Sequence, residues 1–516
     1  MYKIEIHINN VKSQIVVLLP DGNRTRFPIT TTSDGKEIEH PLVCALDKEL
    51  RYETELLIQG RLQRVPVRRF SAKTYKFDTG CLSFVTKVFK TFQQPFSIVD
   101  KRIQIPPGKE IPFREGVVAR PYQTEATEIA IKSQRGVLRL ATGAGKTFIA
   151  WDILRRLNLP TVIFVHTIDL LEQFAEAGEF FLNMPIGRVG GGQVDIQQFT
   201  VCMMQTTCNA FNEKYISYEV DPDEDYHEDS IEYSLQQKMK IRDLVERAHV
   251  IIADECHHLS CSTLQTLFKC AKNAFYRYGL TATMREDGAD LVIYGVTGKV
   301  IYNVSATYLI EHNPPYLIRP TIYYVKVPRN KGSDGNYQSR YKSDIVEYRE
   351  RNELAIQATM RLVKKGFRVL VLARQIKHLK TLRDMMKDGF GSQWPDIKEM
   401  DSTKIKYELA TGSVNKIERK RIIKAMKDNE LECLFASTIA DEGLDCPPIS
   451  AVVLAGGGKS ATKAFQRVGR ALRLFPGKER AVIIDFYDQG KYFKKHAERR
   501  MELFKKEPAF EIKIQQ

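Results

Sequence analysis

The sequence predicts an α/β protein in which two parallel-sheet domains follow one another after a small α+β domain. Short apolar segments, such as Thr161–Val165 and residues 249–253, alternate with helical patterns, which indicates βαβ units and a parallel sheet. A second series of the same kind begins at residues 368–372. Breaks rich in proline, at Pro106-Pro107-Gly108 and Asn313-Pro314-Pro315, separate the three regions.

Residues 1–105 show short half-buried strands with turns at Asp21-Gly22-Asn23 and Ser33-Asp34-Gly35, and then an apolar helical stretch at 82–92. Basic residues are interleaved with aromatic ones here: Arg61, Arg64, Arg68, Arg69, Lys73, Lys76, Lys87 and Lys90 with Tyr75, Phe77 and Phe89. Such a mixture suits a surface that holds a phosphate backbone and stacks on bases. A solvated basic face over an aromatic core is the alternative.

We expect four regions along the chain. They are an N-terminal accessory DNA-binding domain at 1–105, a first α/β domain at 106–312, a second at 313–490 and a C-terminal helical tail at 491–516. An acidic stretch at 219–232 interrupts the first α/β series. We interpret it as an exposed loop or insertion before a helix, with metal binding as the alternative.

Composition excludes several classes of protein. The sequence contains no run of about 18 apolar residues, the length that crosses a bilayer, and its alternating N-terminus is unlike a signal peptide. Nine cysteines without a C-x-x-C pair fit neither a disulfide scaffold nor a zinc site, and they favour a reducing, cytoplasmic setting. The formal charge of +15 favours a polyanionic partner, because lysine and arginine release counterions when they neutralise phosphates.

A phosphate-binding loop is the strongest local motif. The small residues Thr142, Gly143, Ala144 and Gly145 allow backbone N–H groups to close around phosphates at the start of a helix. Lys146 then reaches the β- and γ-phosphates and Thr147 holds Mg²⁺. The strict pattern has glycine where Leu140 stands, so the motif departs from its simplest form.

Two carboxylates follow a buried strand about a hundred residues later. Asp254 and Glu255 come directly after residues 250–253, at the end of a strand where open α/β sheets bind ligands. Asp254 suits the Mg²⁺ environment, and Glu255 suits positioning and polarising the attacking water. Together with the phosphate loop, this pair predicts phosphoryl-transfer chemistry.

Arginines in the second α/β series form a third element. Arg467, Arg470 and Arg473 are three residues apart and fall on one face of a helix. A guanidinium suits the charge that develops on a transferred γ-phosphate, so Arg470 and Arg473 are candidate catalytic and ATP-binding residues. A solvated basic helix is the alternative.

In this order and spacing, the three elements resemble superfamily 2 helicases over residues 115–490. The resemblance implies two RecA-like motor domains that share one ATP site, with ATP and Mg²⁺ as cofactors. It also implies that Arg120 and Gln123 bind ATP, with Gln123 as the reader of adenine, and that Gly443 and Asp445 face ATP in a later motif.

The resemblance assigns further residues to coupling and to the nucleic-acid strand. Thr281 and Thr283, together with Gln466, are implied to couple hydrolysis to movement between domains. The residues implied to contact the strand are Thr167, Gln205, Thr206 and Thr438. His166 stands where proline is more familiar in the first of these motifs.

Three features point to one branch of the superfamily, the XPB group and the phage UvsW branch-migration helicases. They are the N-terminal domain, the DECH sequence at 254–257 and the tripeptide Arg285-Glu286-Asp287, whose Arg285 is then a DNA contact. Charges on a helix surface are the alternative for the tripeptide. The branch implies a DNA helicase or translocase that unwinds or branch-migrates forked and branched DNA, without a membrane. Its setting is the cytoplasm, the host's if the chain is phage-encoded, with other replication or recombination proteins as candidate partners.

Three other functions stay open at this point. One is an RNA helicase, and another is the motor subunit of a nuclease or restriction system. A non-catalytic DNA-binding module is the third, but it has no need for Lys146, Glu255 and Arg473 together.

Overall fold

A computed structural model describes residues 3–31, 37–58, 61–211, 234–284, 288, 290–330, 336–388, 404–411, 414, 416–437, 446–458, 461–490 and 492–515. Contacts within the chain divide it into two compact units, the first mainly before Val304 and the second mainly from Val304 onward. Among the helices in these ranges, none has the length and apolarity that a membrane crossing requires.

The N-terminal domain is a mixed sheet with two helices. Its elements are β1 (Lys3–Ile8), β2 (Lys12–Leu18), β3 (Arg24–Thr25), β4 (Thr30–Thr31), β5 (Glu37–Ile38), α1 (Pro41–Glu49), β6 (Arg51–Ile58), β7 (Arg61–Arg68), β8 (Phe70–Ser71), β9 (Lys76–Asp78), α2 (Leu82–Thr91) and β10 (Ser97–Asp100). The main sheet has the order β10-β1-β2-β9-β8, with β3 paired to β2. This confirms the alternating strand at the N-terminus and the turn at 21–23, while the turn at 33–35 lies outside the described residues.

Two of the aromatic residues expected to stack on bases lie in the core of this domain instead. Phe77 and Phe89 are both 0% exposed. Tyr75 packs against Phe27 and Phe70, and its hydroxyl accepts a hydrogen bond from the backbone N–H of Phe27 at 3.2 Å. The base-stacking interpretation is therefore wrong for Phe77 and Phe89, because the alternating pattern of β9 and the apolar stripe of α2 turn these rings inward.

The N-terminal domain packs on the first α/β domain through buried polar contacts. Arg69 lies 3.4 Å from the carboxylate of Asp78 and donates a 2.6 Å hydrogen bond to Gln265. Asp78 is 2% exposed. Arg135 donates to the backbone oxygen of Asn10 at 3.1 Å. The expected boundary near residue 105 therefore lies inside one compact unit.

The expected linker after residue 105 is tied to the same unit by its backbone. The N–H groups of Gly108 and Ile111 donate to the carbonyls of Leu157 and Arg155, at 2.8 and 2.9 Å. Arg114 donates in the same way to Phe181 at 2.7 Å. These bonds hold the segment along the surface of the first α/β domain.

The first α/β domain is a twisted sheet covered by helices. Its elements are α3 (Pro121–Ser133), β11 (Arg135–Leu140), α4 (Lys146–Leu157), β12 (Thr161–Val165), α5 (Ile168–Leu182), β13 (Gly187–Gly190), β14 (Gln193–Asp195), β15 (Phe199–Met203), α6 (Met204–Phe211), α7 (Leu235–Arg247), β16 (Val250–Ala253), α8 (Ser262–Cys270), β17 (Tyr276–Thr281), α9 (Asp290–Val296) and β18 (Val300–Val304). The strand order is β14-β13-β15-β12-β16-β17-β11-β18, and the pairs from β13 to β11 are parallel. The acidic stretch at 219–232 lies outside the described residues.

The second unit repeats this design with a fully parallel sheet. Its elements are α10 (Ala306–Glu311), β19 (Pro320–Lys326), α11 (Tyr337–Tyr341), α12 (Arg349–Lys364), β20 (Val369–Leu372), α13 (Ile376–Lys387), β21 (Tyr407–Ala410), α14 (Lys416–Lys427), β22 (Cys433–Ala436), β23 (Ala451–Val453), α15 (Ala461–Ala471), β24 (Ala481–Tyr487), α16 (Phe493–Lys505) and β25 (Glu511–Gln515). The order is β21-β22-β20-β23-β24-β19-β25. Every pair in it is parallel.

The end of the chain differs from the expected helical tail. Among the described residues there, α16 is the one helix, and β25 pairs with β19 in register, for example Tyr323 with Lys513. Arg500 of α16 is buried and holds Asp485 of β24 with two 2.8 Å hydrogen bonds. Residues 493–515 are thus part of the second α/β domain, because they complete its sheet and one of its faces.

Candidate nucleotide-binding site

The phosphate loop lies between β11 and α4, where the strand ends and the helix begins. Gly143 and Gly145 have φ values of +89° and +80°, a backbone region that favours glycine. A Cβ atom on Gly145 would lie 2.5 Å from the side-chain nitrogen of Gln123. The two glycines therefore give the loop its curvature and its close packing, while the N-terminus of α4 supplies N–H groups for an anion.

Gln123, the expected reader of adenine, is also a structural residue of this loop. Its side chain is 5% exposed, and its Oε1 accepts a 2.9 Å hydrogen bond from the backbone N–H of Arg120 at the start of α3. The Arg120 guanidinium donates to the hydroxyl of Tyr122 at 3.2 Å. The structure thus brings the segment 120–123 to the phosphate loop, and adenine recognition by it stays a prediction.

Lys146 and Glu255 form a largely buried ion pair at the centre of the site. Their side chains are 16% and 13% exposed, and Lys146 Nζ donates to Glu255 Oε1. Burial lowers the pKa of Lys146, but the charges of Glu255 and Asp254 outweigh it, so the pKa lies above its ordinary value. Burial likewise raises the pKa of Glu255, but Lys146 and His257 outweigh it and hold the pKa well below the usual range. Both groups are therefore charged at neutral pH.

Thr281, expected to couple hydrolysis to domain movement, lies directly against Glu255. Its hydroxyl is 3.4 Å from Glu255 Oε2 and donates to the backbone oxygen of Thr283 at 2.8 Å. The backbone of Glu255 is left-handed, with φ +47° and ψ +54°. A non-glycine residue in this region stores strain of about 1–3 kcal/mol, which is typical of functional sites. The sequence prediction of Lys146, Glu255 and Thr281 thus identified groups that meet in one cluster.

His257 is a member of this cluster that the sequence analysis did not assign. Its Nδ1 lies 3.4 Å from Glu255 Oε2 and 3.3 Å from the Thr281 hydroxyl. The ring of His258 packs against it in a tilted arrangement with centroids 4.3 Å apart, and His166 packs against His258 in the same way at 4.5 Å. The DECH sequence placed His257 near the carboxylates, but the contact with Thr281 depends on the pairing of β16 with β17.

Asp254 carries a buried carboxylate oxygen that suits a cation. The residue is 4% exposed, and Oδ1 has no hydrogen-bond partner among the described residues. Burial raises the pKa of Asp254 to about 6, with Lys146 opposing that rise. Thr147 lies in the first turn of α4. Mg²⁺ prefers oxygen ligands and usually takes one or two carboxylates together with substrate phosphates, so these residues fit a magnesium ion.

No group of three or more His, Cys, Asp or Glu that could hold a metal occurs in the described part of the chain. A site built from one carboxylate, one hydroxyl and substrate oxygens has no need of such a group.

The residues expected to hold a nucleic-acid strand differ in how far they are exposed. Thr167 is the N-cap of α5, and its hydroxyl accepts from the backbone N–H of Leu170 at 3.3 Å. Thr206 is 6% exposed, whereas Gln205 is half-buried. Gln205 is therefore the more accessible of this pair, and strand contact by the three residues stays a prediction.

The second unit holds the predicted arginines at the end of α15. Arg470 is 7% exposed and Arg473 is half-buried just beyond the helix. The carbonyl of Arg473 accepts a 2.9 Å hydrogen bond from Lys478, whose pKa burial and the Arg473 charge lower to about 7. Gln466 lies within α15, and nothing of its side chain is described. Four predicted site residues lie outside the described residues: Arg285, Thr438, Gly443 and Asp445.

A phosphate loop whose lysine meets an acidic pair at the carboxyl ends of parallel strands defines a P-loop nucleoside triphosphatase. Two family models match the chain. Residues 116–286 match "Type III restriction enzyme, res subunit" and residues 351–475 match "Helicase conserved C-terminal domain". The chain belongs to the superfamily 2 helicases, which confirms the family and the two motor domains that the sequence predicted.

Three curated relatives align with most of the chain. Putative helicase 22 of Sulfolobus islandicus filamentous virus is 27% identical, over 72% of this chain and 64% of its own length. DNA 3'-5' translocase XPB2 of Sulfurisphaera tokodaii is 26% identical, over 82% and 92%. ATP-dependent DNA helicase uvsW of Enterobacteria phage T4 is 22% identical, over 71% and 68%. The chain thus spans about two thirds of the viral and phage relatives, and this set is consistent with the branch that the sequence predicted.

Proposed function

We propose that the chain is an ATP-dependent DNA helicase or translocase that acts on forked or branched DNA. One observation carries the catalytic part of this proposal. The phosphate-loop lysine, Lys146, meets Glu255 and Thr281 in one buried cluster, beside an Asp254 oxygen without a partner among the described residues. These groups are the ones that phosphoryl transfer from ATP to water requires.

Each group has a task in this proposal. Lys146 is paired with Glu255 and exchanges that carboxylate for the β- and γ-phosphates when ATP binds, which leaves Glu255 to orient and polarise the attacking water. Thr147 and Asp254 would hold Mg²⁺, which neutralises charge on the phosphate oxygens. Thr281 and His257 keep the Glu255 carboxylate in place, because both contact its Oε2.

We propose that Arg470 and Arg473 contact the γ-phosphate of the same ATP and stabilise the charge that develops on it during transfer. Gly443 and Asp445 are proposed ATP contacts, and Gln466 is proposed to couple the two motor domains. We propose strand contacts for Gln205 and Thr438, in keeping with their motifs.

DNA as the polymer on which the chain acts is supported by two relatives, one named a DNA translocase and the other a DNA helicase. The charge of +15 favours a polyanion in the same way. A reducing, cytoplasmic setting belongs to the proposal, in keeping with nine scattered cysteines that include no C-x-x-C pair.

The first experiment compares ATP hydrolysis by the purified chain alone with hydrolysis in the presence of single-stranded DNA, fork DNA, a four-way junction and RNA. We expect fork or junction DNA to stimulate turnover and RNA to do so far less. Equal rates with and without every nucleic acid would refute the motor. RNA as the strongest activator would identify an RNA helicase instead.

Two variants test the site itself. Lys146→Ala removes the phosphate contact, so we expect turnover to fall by at least about a hundredfold while DNA binding is kept. Glu255→Gln keeps the side-chain shape but cannot polarise water, so we expect ATP to be bound and hydrolysed slowly. A turnover number within threefold of wild type for either variant would place catalysis elsewhere in the chain.

The restriction-enzyme description of the first family model supplies a second candidate, a motor that serves a nuclease. Supercoiled plasmid incubated with the chain, Mg²⁺ and ATP distinguishes it. A plasmid that stays intact while ATP is hydrolysed supports the helicase, and cleavage that Lys146→Ala abolishes supports the second candidate.

A further inference from the structure

Among the described residues, the fully parallel sheet of the second unit has one face that helices cover over only part of its width. On this face, α12 packs on β20 and β23, and α13 packs on β21 and β22. On the opposite face, α15 and α16 pack on β23 and β24. Beyond α12, the strands β24, β19 and β25 open into a groove with a volume of about 740 Å³.

The two faces of β19 show the difference in cover. Ile322 and Tyr324 point to the α16 side and are each 0% exposed. Their neighbours Thr321, Tyr323 and Val325 point into the groove and are only half-buried. Parallel sheets occur almost only with helices on both faces, because their strands are apolar on both sides. The groove over these parallel strands therefore has room for one more helix, and its half-buried side chains suit the apolar side of that helix.

The floor of the groove is mostly apolar. It is lined by six apolar or aromatic residues that pack at the edge of the core covered by α12, namely Tyr323, Val325, Leu354, Ala358, Phe367 and Val482. This floor is a poor platform for nucleic-acid bases, which stack on open aromatic faces. The ammonium group of Lys513 lies 5.8 Å from the centre of the Tyr323 ring, over one of its faces.

The rim of the groove is basic. Five exposed residues carry positive charge there, Arg319, Arg361, Lys365, Arg480 and Lys513, against the two carboxylates of Glu479 and Glu511. Glu511 is paired with Lys513 at 2.8 Å. The surplus of positive charge means that an occupant with acidic flanks is favoured over one with basic flanks.

We propose that this groove docks an acidic amphipathic helix of a partner protein. The apolar side of that helix packs on Tyr323, Val325 and Val482, and its acidic flanks face Arg361 and Lys365. Helix-in-groove binding of this kind uses an apolar stripe for affinity and charged flanks for orientation. The residues that line the groove all belong to the second unit, and none of them is a residue proposed for ATP hydrolysis, so this binding does not rest on the proposed ATPase.

The test uses two fluorescein-labelled designed helical peptides with the same leucine and alanine stripe, one flanked by glutamate and the other by lysine. Binding to the full chain is measured by fluorescence anisotropy without ATP or DNA. We expect the glutamate peptide to bind at least about tenfold more tightly than the lysine peptide. The double change Arg361→Glu with Lys365→Glu should reverse that preference, and Val325→Asp should weaken both peptides.

Lys364→Glu is the matched control, since Lys364 is exposed on the same helix but does not line the groove. It should leave the preference unchanged. Hydrogen exchange should show that the glutamate peptide slows exchange in β25 and at the end of α12. Equal binding of both peptides, or a preference that the double change does not alter, would overturn the proposal.

An oligo(dT) competitor and the DNA-stimulated ATPase separate a helix site from a nucleic-acid site. We expect oligo(dT) not to displace the glutamate peptide and the double change to leave ATPase activity within twofold of wild type. If instead the double change abolishes oligo(dT) binding or stimulation of the ATPase, the groove belongs to the DNA track and the proposal is wrong.

Discussion

The buried carboxylate of Asp254 should lower the stability of the protein, although it is needed for activity as a proposed Mg²⁺ ligand. The carboxylate is 4% exposed, and burial raises its pKa from 3.8 to about 6. An acid with a higher pKa in the folded protein than in the unfolded chain is costly to ionise in the folded state. The difference corresponds to about 3 kcal/mol at any pH above both values. Without metal and nucleotide, Asp254 therefore destabilises the protein at pH 8.

Replacing Asp254 by asparagine removes that cost together with the Mg²⁺ ligand. At pH 8 and without Mg²⁺, we expect Asp254→Asn to raise the free energy of unfolding by about 1–3 kcal/mol, the lower end reflecting the polar amide that stays buried. For a domain of this size, each kcal/mol corresponds to about 2–4 °C in Tm. The gain should shrink as the pH falls through 6 and vanish near 4, where the folded wild type carries a protonated Asp254.

The assay is thermal unfolding of both proteins at several pH values, with and without Mg²⁺ and a non-hydrolysable ATP analogue. Asp243→Asn is the control for replacing an acid by its amide at the surface, because Asp243 is 53% exposed on α7 and its partner Arg247 is 77% exposed. The ligand should stabilise wild type more than Asp254→Asn, and the variant should lack ATPase activity. A Tm for Asp254→Asn at or below that of wild type at pH 8 would refute the reasoning about the buried carboxylate.

Four further predictions concern single residues. Thr281→Val removes the hydroxyl that contacts Glu255 and the backbone of Thr283, so turnover should fall by about tenfold to a hundredfold with little change in KM for ATP, and an unchanged kcat would count against a role in the cluster. Gly145→Ala forces a side chain onto a backbone with φ +80° and toward Gln123, so ATP affinity should fall by more than tenfold in a direct binding titration, and wild-type affinity would show that the loop tolerates the change. Phe77→Ala leaves a cavity in the N-terminal core and should cost about 3–5 kcal/mol in denaturant unfolding; a loss of DNA affinity without a loss of stability would restore the base-stacking interpretation. Arg473→Ala should lower kcat for ATP hydrolysis by more than tenfold while ATP binding falls less, and equal loss of both would argue for a structural role.

The parts of the fold that the sequence predicted are those set by local pattern. Strands β12, β16 and β20 are short apolar runs bounded by helical patterns, and local apolarity is enough to identify them. Strand β25 was missed although Glu511–Gln515 alternates in polarity as a strand does, because five residues are a short signal and the partner β19 lies almost 200 residues earlier. Pairing over such a distance leaves no mark on the local sequence.

The nucleotide site is likewise divided into residues that local sequence predicts and contacts that depend on distant pairing. Lys146, Asp254 and Glu255 were predicted because glycine spacing and a strand followed by two acids are local signals. The contact of His257 with Thr281 required the alignment of two neighbouring strands, which no local pattern encodes. Phe77 was misinterpreted for the reverse reason, since an aromatic ring beside lysines has the same sequence pattern whether it points to solvent or to the core.

The N-terminal domain is docked on the first α/β domain by side-chain and backbone contacts. Arg69, Asp78 and Gln265 join that domain to the first α/β domain, and the backbone of Gly108 and Ile111 is bonded along the same surface. We expect a duplex bound by the N-terminal domain to move together with the first α/β domain, because these contacts tie the two domains and the segment between them to one another. We expect Arg69→Ala, which weakens this interdomain contact, to uncouple the two activities, so that ATP is hydrolysed without strand displacement.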